Sequence, residues 1–126
     1  QITRFLKISN IIMLSEEDLD NLGIKNYKKF IFSNFKNKLV IFRSRKGNIL
    51  VYDKKNFFNF NFVFKKKVKD TTGCGDAFNA CFLYYYFNNF NIKECLHFAH
   101  KLGKDVANVN GAIIEKENFK LKNYGR

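Results

Sequence analysis

Apolar and polar positions along the chain follow two periods. Residues Ile8 to Leu14 are mostly apolar and β-branched, which predicts a buried strand. Ser15-Glu16-Glu17-Asp18 then opens a short helix that Gly23 closes. Apolar positions 27, 30, 31, 32 and 35 recur at helical spacing and predict a second helix over 27–35. Lys38 to Arg43 reads as a strand, Arg45 to Asn48 as a turn and Ile49 to Tyr52 as the return strand of a hairpin. From Phe57 to Val63, Phe58, Phe60 and Phe62 alternate with Asn59 and Asn61, the period of a half-buried strand. Ala77 to Phe87 is almost wholly apolar and predicts a buried helix, which Asn88 to Asn91 breaks. From Ile92, positions 92, 95, 96, 99, 102, 103, 106 and 107 form a one-sided stripe on a further helix. Strands alternating with helices predict an α/β layered fold with a largely parallel sheet.

The chain has 126 residues, 46% of them hydrophobic, enough for the core of one domain. No apolar run reaches the roughly 18 residues of a membrane span, so no membrane partner is expected. Ile2 to Lys7 mixes basic and apolar residues without a small-residue cleavage site, and no signal peptide is read there. The first residue is Gln1, which predicts a piece of a longer protein.

The sixteen Phe, the absence of Pro and Trp, and the abundant Lys and Asn match an AT-rich coding sequence. That changes how the net charge of +12 is read. One reading is a nucleic-acid partner, which predicts steep salt dependence of binding. The other is codon bias that places Lys wherever the surface tolerates it. The longest basic stretch, Lys65 to Lys67 with Lys69, is short and carries no interleaved aromatic residues, so a nucleic acid is not expected. An anionic ligand such as a nucleotide would still be drawn to this surface. Cys74, Cys81 and Cys95 are odd in number and match no zinc spacing, which predicts reduced thiols in a cytoplasmic compartment.

The segment Asp70-Thr71-Thr72-Gly73-Cys74-Gly75-Asp76-Ala77-Phe78 carries the clearest chemistry. Two glycines flank a small residue just before an apolar helix. The backbone amides of Gly73, Cys74, Gly75 and Asp76 would then lie unpaired at the helix N-terminus, an anion hole aided by the macrodipole. Glycine lets a phosphate approach the backbone closely. Asp76, in the first turn, could accept a proton from a substrate hydroxyl. A plain helix start explains the same residues. So, in part, does a dinucleotide fingerprint with Phe78 at its third glycine.

These nine residues closely resemble the C-terminal signature of the ribokinase (PfkB carbohydrate kinase) family, with Cys74 where an Ala or another small residue is usual. Leu96 to His100 through Val109-Asn110-Gly111-Ala112 resemble that family's following helix and closing Gly-Ala. Leu39 to Tyr52 is similar to its strand, T-x-G-x-x-G turn and return strand, and Ile11 to Gly23 to its N-x-x-E region. The resemblance identifies residues 1–126 as the C-terminal, ATP-binding part of a PfkB-type domain, covering well under half of a complete member. It implies a ribokinase-like three-layer α/β/α fold. The implied activity is ATP-dependent transfer of the γ-phosphate to an alcohol of a sugar or nucleoside, with Mg2+ and with K+ as a possible second ion. Asp76 would be the catalytic base, and Gly73, Cys74 and Gly75 the anion hole. Ser44, Gly47 and His100 would meet the nucleotide; His100 reads equally as a mid-helix residue on a polar edge. Asp70, Thr72, Val106, Val109 and Gly111 would hold the monovalent cation. Pyridoxal kinases share the superfamily and a Gly-x-Gly-Asp, but the longer run favours the sugar-kinase branch.

Two places depart from the pattern. Phe42-Arg43-Ser44-Arg45-Lys46-Gly47 stands for T-x-G-x-x-G and keeps only its last glycine. Ser15-x-x-Asp18 stands for N-x-x-E and reads equally as a capping box. These departures support a second reading, a degenerate family member acting as a binding module. On either reading the isolated piece is expected to be inactive, since acceptor recognition belongs to the missing part.

Overall fold

The apolar runs Leu39 to Phe42 and Ile49 to Tyr52 become the two central strands of a sheet, buried on both faces. A computed structural model describes residues 2–62, 71 and 73–109. They fall into two compact units, residues 1–64 and 65–126.

The first unit contains α1 (Ile2–Ile8), β1 (Ile11–Ser15), α2 (Glu16–Asn21), α3 (Tyr27–Asn34), β2 (Leu39–Arg43), β3 (Asn48–Asp53) and β4 (Asn56–Asn61). Its four strands run in the order β1-β2-β3-β4. β1 and β2 are parallel, joined through α2 and α3, with Ile11 opposite Leu39. β2–β3 and β3–β4 are antiparallel. The α/β class stands, but this sheet is mixed rather than largely parallel. The reason is local: a tight turn at Ser44 to Gly47 and another at Lys54-Lys55 can only join antiparallel neighbours. Val40, Phe42, Leu50 and Tyr52 share one face with Ile12, and Leu19 of α2 and Ile31 and Phe35 beside them complete that core cluster. Leu39, Ile41, Ile49 and Val51 on the opposite face are buried as well.

Helix ends follow local chemistry. Ser15 caps α2 in a capping box with Asp18: the Asp18 amide donates to Ser15 Oγ, and the Ser15 amide donates to Asp18 Oδ2 at 2.7 Å. Gly23, at φ 72°, ends α2 as expected, with the Ile24 amide donating back to the Leu19 carbonyl.

Two expectations change. The strand expected from Ile8 begins at Ile11, because Ile2–Ile8 is a helix. Its terminal carbonyls, on Lys7 and Ser9, accept from the Lys38 ammonium across the fold. In β4 it is Phe57 that packs on the core ring of Tyr52, centroids 4.6 Å apart, whereas Phe58 is 48% exposed. Among the described residues β4 is an outer strand of the sheet, so its alternation is only half used. Val63, the expected strand end, lies outside the described residues.

The second unit contains α4 (Cys74–Phe87) and α5 (Ile92–Ala107). A Schellman-type end at Asn89 (φ 64°) closes α4: the Phe90 amide reaches the Tyr85 carbonyl and the Asn89 amide the Tyr86 carbonyl. Asn91 and Glu94 then form a capping box for α5. The helices run antiparallel. Tyr85 near the end of α4 meets Phe98 early in α5, centroids 4.9 Å apart, while the start of α4 meets Gly103. The α5 stripe is used as expected: Cys95, Leu96, Ala99, Gly103, Val106 and Ala107 are buried. α4 is not buried all round. Phe78, Cys81, Phe82 and Tyr85 are buried, but Tyr84 and Phe87 face outward.

Candidate active site

The start of α4 is built by glycine. Gly73 occupies the N-cap at φ 75°, in the left-handed region, and no side chain caps this helix. The amides of Gly75 and Asp76 belong to the first turn, where a helix has no acceptor of its own four residues back. Cys74 differs from expectation. Its amide donates to the Thr71 carbonyl at 3.2 Å, so it is not one of the orphans. The set of unpaired amides expected at this turn is therefore narrower than four. Gly73, Cys74 and Gly75 are half-buried, while Asp76 is exposed with its carboxylate in the first turn.

α5 passes this turn. An ideal Cβ on Gly103 would lie 3.3 Å from the Cys74 carbonyl oxygen. His100 stands three residues earlier, and positions i and i+3 are neighbours on a helix face. His100 is thus carried on the side of α5 that approaches the glycine turn. It is half-buried. Burial first, then the charge of Lys104 and the proximity of His97, lower its pKa below 6.5. The neutral ring dominates at neutral pH, and protonation on acidification opposes folding. The His100 ring resonances, followed by NMR against pH, are expected to show a midpoint below 6.5. A midpoint at or above 6.5 would place the ring in water.

Val106 is buried and Val109 half-buried at the end of α5. The Val106 carbonyl accepts from the Val109 amide at 3.2 Å. Asp70, Thr72 and Gly111, named with them for a monovalent cation, lie outside the described residues. Among the described residues, no three His, Cys, Asp or Glu side chains group as a metal site. Cys81 and Cys95 are thiols whose pKa burial pushes up to about 11, which makes them poor nucleophiles.

Ser44 and Gly47 lie in the other unit, in the β2–β3 turn. Gly47, at φ 83°, holds a left-handed position that glycine adopts without strain. Its amide donates to the Ser44 carbonyl, and Ser44 Oγ accepts from the Asn48 amide at 3.1 Å. Ser44 also lines a cavity of about 500 Å³ with Tyr27, Phe42, Asn48, Leu50 and Asn59. The turn is tied to α2. Glu16 accepts from the Arg45 amide at 2.8 Å, and Asp20 accepts from the Arg45 guanidinium at 2.8 Å and the Tyr27 hydroxyl at 2.9 Å. The Tyr27 hydrogen bond, then Arg45 and Lys25, hold the Asp20 carboxyl below its usual range against partial burial. Sequence reasoning missed this tie, since no local spacing links residues 16, 20, 27 and 45. The Gly103 contact left a trace, a glycine inside a helical stripe.

A family model described as pfkB family carbohydrate kinase matches residues 2–118. An uncharacterized sugar kinase of Archaeoglobus fulgidus is 66% identical over 41 residues, 32% of this chain and 15% of the relative. Adenosine kinase from Schistosoma mansoni, solved with 2-fluoroadenosine, superposes with a TM-score of 0.77 at 21% identity, covering 93% of this chain and 40% of that one. Fructokinase from Vibrio cholerae, solved with fructose, ADP and calcium, gives 0.77 at 23%, covering 88% and 39%. The chain thus spans about 40% of these kinases' length and shares their ribokinase-like α/β fold.

Proposed function

The chain belongs to the pfkB family of carbohydrate kinases, and we propose that it supplies the phosphoryl-transfer end of an ATP-dependent kinase acting on an alcohol of a sugar or nucleoside. The observation that carries this reading is the glycine-built start of α4, capped by no side chain, with the Asp76 carboxylate in its first turn. Both acceptor classes stay in the proposal, because the related structures hold fructose in one case and a nucleoside in the other.

ATP would supply the phosphoryl group. Asp76 would take the proton of the acceptor hydroxyl as its oxygen bonds to the γ-phosphorus and the bond to the ADP oxygen breaks. The amides of Gly75 and Asp76 would carry the charge on the transferring group, aided by the positive end of the α4 dipole. The left-handed Gly73 and the absence of a Cβ on Gly75 fit a phosphate against this backbone. His100, neutral at pH 7, would meet the nucleotide base. Ser44 and Gly47, in the other unit, keep the nucleotide-binding role that the family resemblance gives their turn. Magnesium, bound with ATP, would supply positive charge that offsets the charge of the phosphates. Val106 and Val109, with Asp70, Thr72 and Gly111, remain the set proposed for potassium.

A second reading, a non-catalytic binding module, draws on one observation. Ser15 and Asp18, where the family pattern has N-x-x-E, are both committed to capping α2. ATP consumption by the complete protein, assayed across sugars and nucleosides with and without potassium, separates the two. Turnover with one acceptor supports the kinase. No turnover with any acceptor, together with no ATP binding, sinks it in favour of the module.

A further inference from the structure

Gly103 lies buried in the interior of α5. A helix interior disfavours glycine by about 1 kcal/mol relative to Ala, so an Ala there would strengthen α5 unless something forbids the methyl group. The neighbouring atoms show what stands in the way. A Cβ at 103 would sit 3.3 Å from the Cys74 carbonyl oxygen and 3.8 Å from Phe78 Cβ. The first contact is tighter than a relaxed one, and the atom it presses on is backbone.

That backbone atom has a second role through its geometry. The Cys74 carbonyl and the Gly75 amide are the two ends of one planar peptide unit. Pushing the oxygen away from α5 tilts the plane and turns the Gly75 N–H with it. The Gly75 amide is a first-turn donor without an acceptor within its own helix. The bare Cα of Gly103 therefore sets the angle at which an anion-facing amide points.

We propose that Gly103 is a positioning residue for phosphoryl transfer: by lacking a side chain it fixes the Cys74–Gly75 peptide plane, and so aims the Gly75 amide at the transferring group. This rests on the reading of the α4 start as the phosphate site. The residue acts through the peptide and touches no substrate. A side chain at 103 should therefore harm the chemical step more than acceptor binding or folding. Loss of an entire donor in such a hole costs about 10²- to 10³-fold in kcat, and a tilted donor should cost less, about tenfold.

The test uses the complete protein with Gly103→Ala, and Asp76→Asn beside it. Steady-state kinetics and thermal unfolding are read on each. The expected result for Gly103→Ala is a kcat lower by about tenfold, an unchanged acceptor KM and an unfolding midpoint at or above that of the parent. The Gly75 amide resonance should also respond differently to added ADP. A parental kcat overturns the proposal. So does a Gly103→Ala protein that loses activity only in step with its folded fraction, or fails to fold, because the contact would then serve folding alone. Asp76→Asn tells the two failures apart. If it keeps full turnover, the reading of the site itself is wrong. If it abolishes turnover while Gly103→Ala does not change it, only the positioning role is wrong.

Discussion

Asp76→Asn in the complete protein is expected to lower kcat by about 10³-fold, within the range that a positioned general base contributes. The KM values for ATP and acceptor should move by no more than about threefold, since the change falls on the transition state and spares ground-state binding. The side chain keeps its shape and loses its ability to take a proton. Asp76 is exposed in the first turn of a fourteen-residue helix, so the fold does not depend on it. Its favourable interaction with the helix dipole amounts to about 0.3–1 kcal/mol, too little to unfold the protein. Rapid-quench measurement of a single turnover would place the loss in the chemical step. A variant that retains more than about a tenth of parental kcat would remove Asp76 from the role of base.

What the sequence disclosed depended on how far apart the interacting residues lie. The α4 start was legible because its determinants are contiguous: Gly73 supplies the left-handed N-cap and Asp76 the first-turn acid within four residues. The β2–β3 hairpin was legible for the same reason, Gly47 marking the turn. The Ser15–Asp18 capping box was foreseen as an alternative to a family motif and is formed. α1 was missed. Ile2 to Ile8 makes two turns with no acidic residue in its first turn, and its C-terminal carbonyls are satisfied by Lys38 from far along the chain. The Arg45 tie to Glu16 and Asp20 was hidden likewise, and it decides how the altered turn is held. Arg45 in that turn is bound to α2, which a pattern of turn charges could not disclose. The Cys74 amide went the other way. The local pattern counted it among the orphans, and a bond to Thr71 only three residues back satisfies it.

α4 supplies the sharpest stability contrast, because its apolar sequence suggests burial on every side and its structure does not provide it. Phe82 is fully buried and stacks on Tyr86 with centroids 5.8 Å apart; Phe87, the residue after Tyr86, is 70% exposed. Phe82→Ala removes a ring from a site whose neighbours cannot collapse fully. It is expected to destabilise by about 3–5 kcal/mol, the transfer free energy of the ring plus the cost of the cavity. Phe87→Ala should cost less than about 0.5 kcal/mol, as for an ordinary surface substitution. The measurement is the shift in urea midpoint of the two variants of the complete protein, at unchanged slope. The contrast carries a functional consequence. Phe82 lies two turns along the helix that begins at the proposed phosphate site, so weakening its packing would loosen the element that carries the Gly75 and Asp76 amides. Phe82→Ala should lose turnover at temperatures well below its unfolding midpoint, while Phe87→Ala should not. Equal costs for the two would mean that Phe87 is covered in the protein assayed, and that the outer side of α4 is a contact surface.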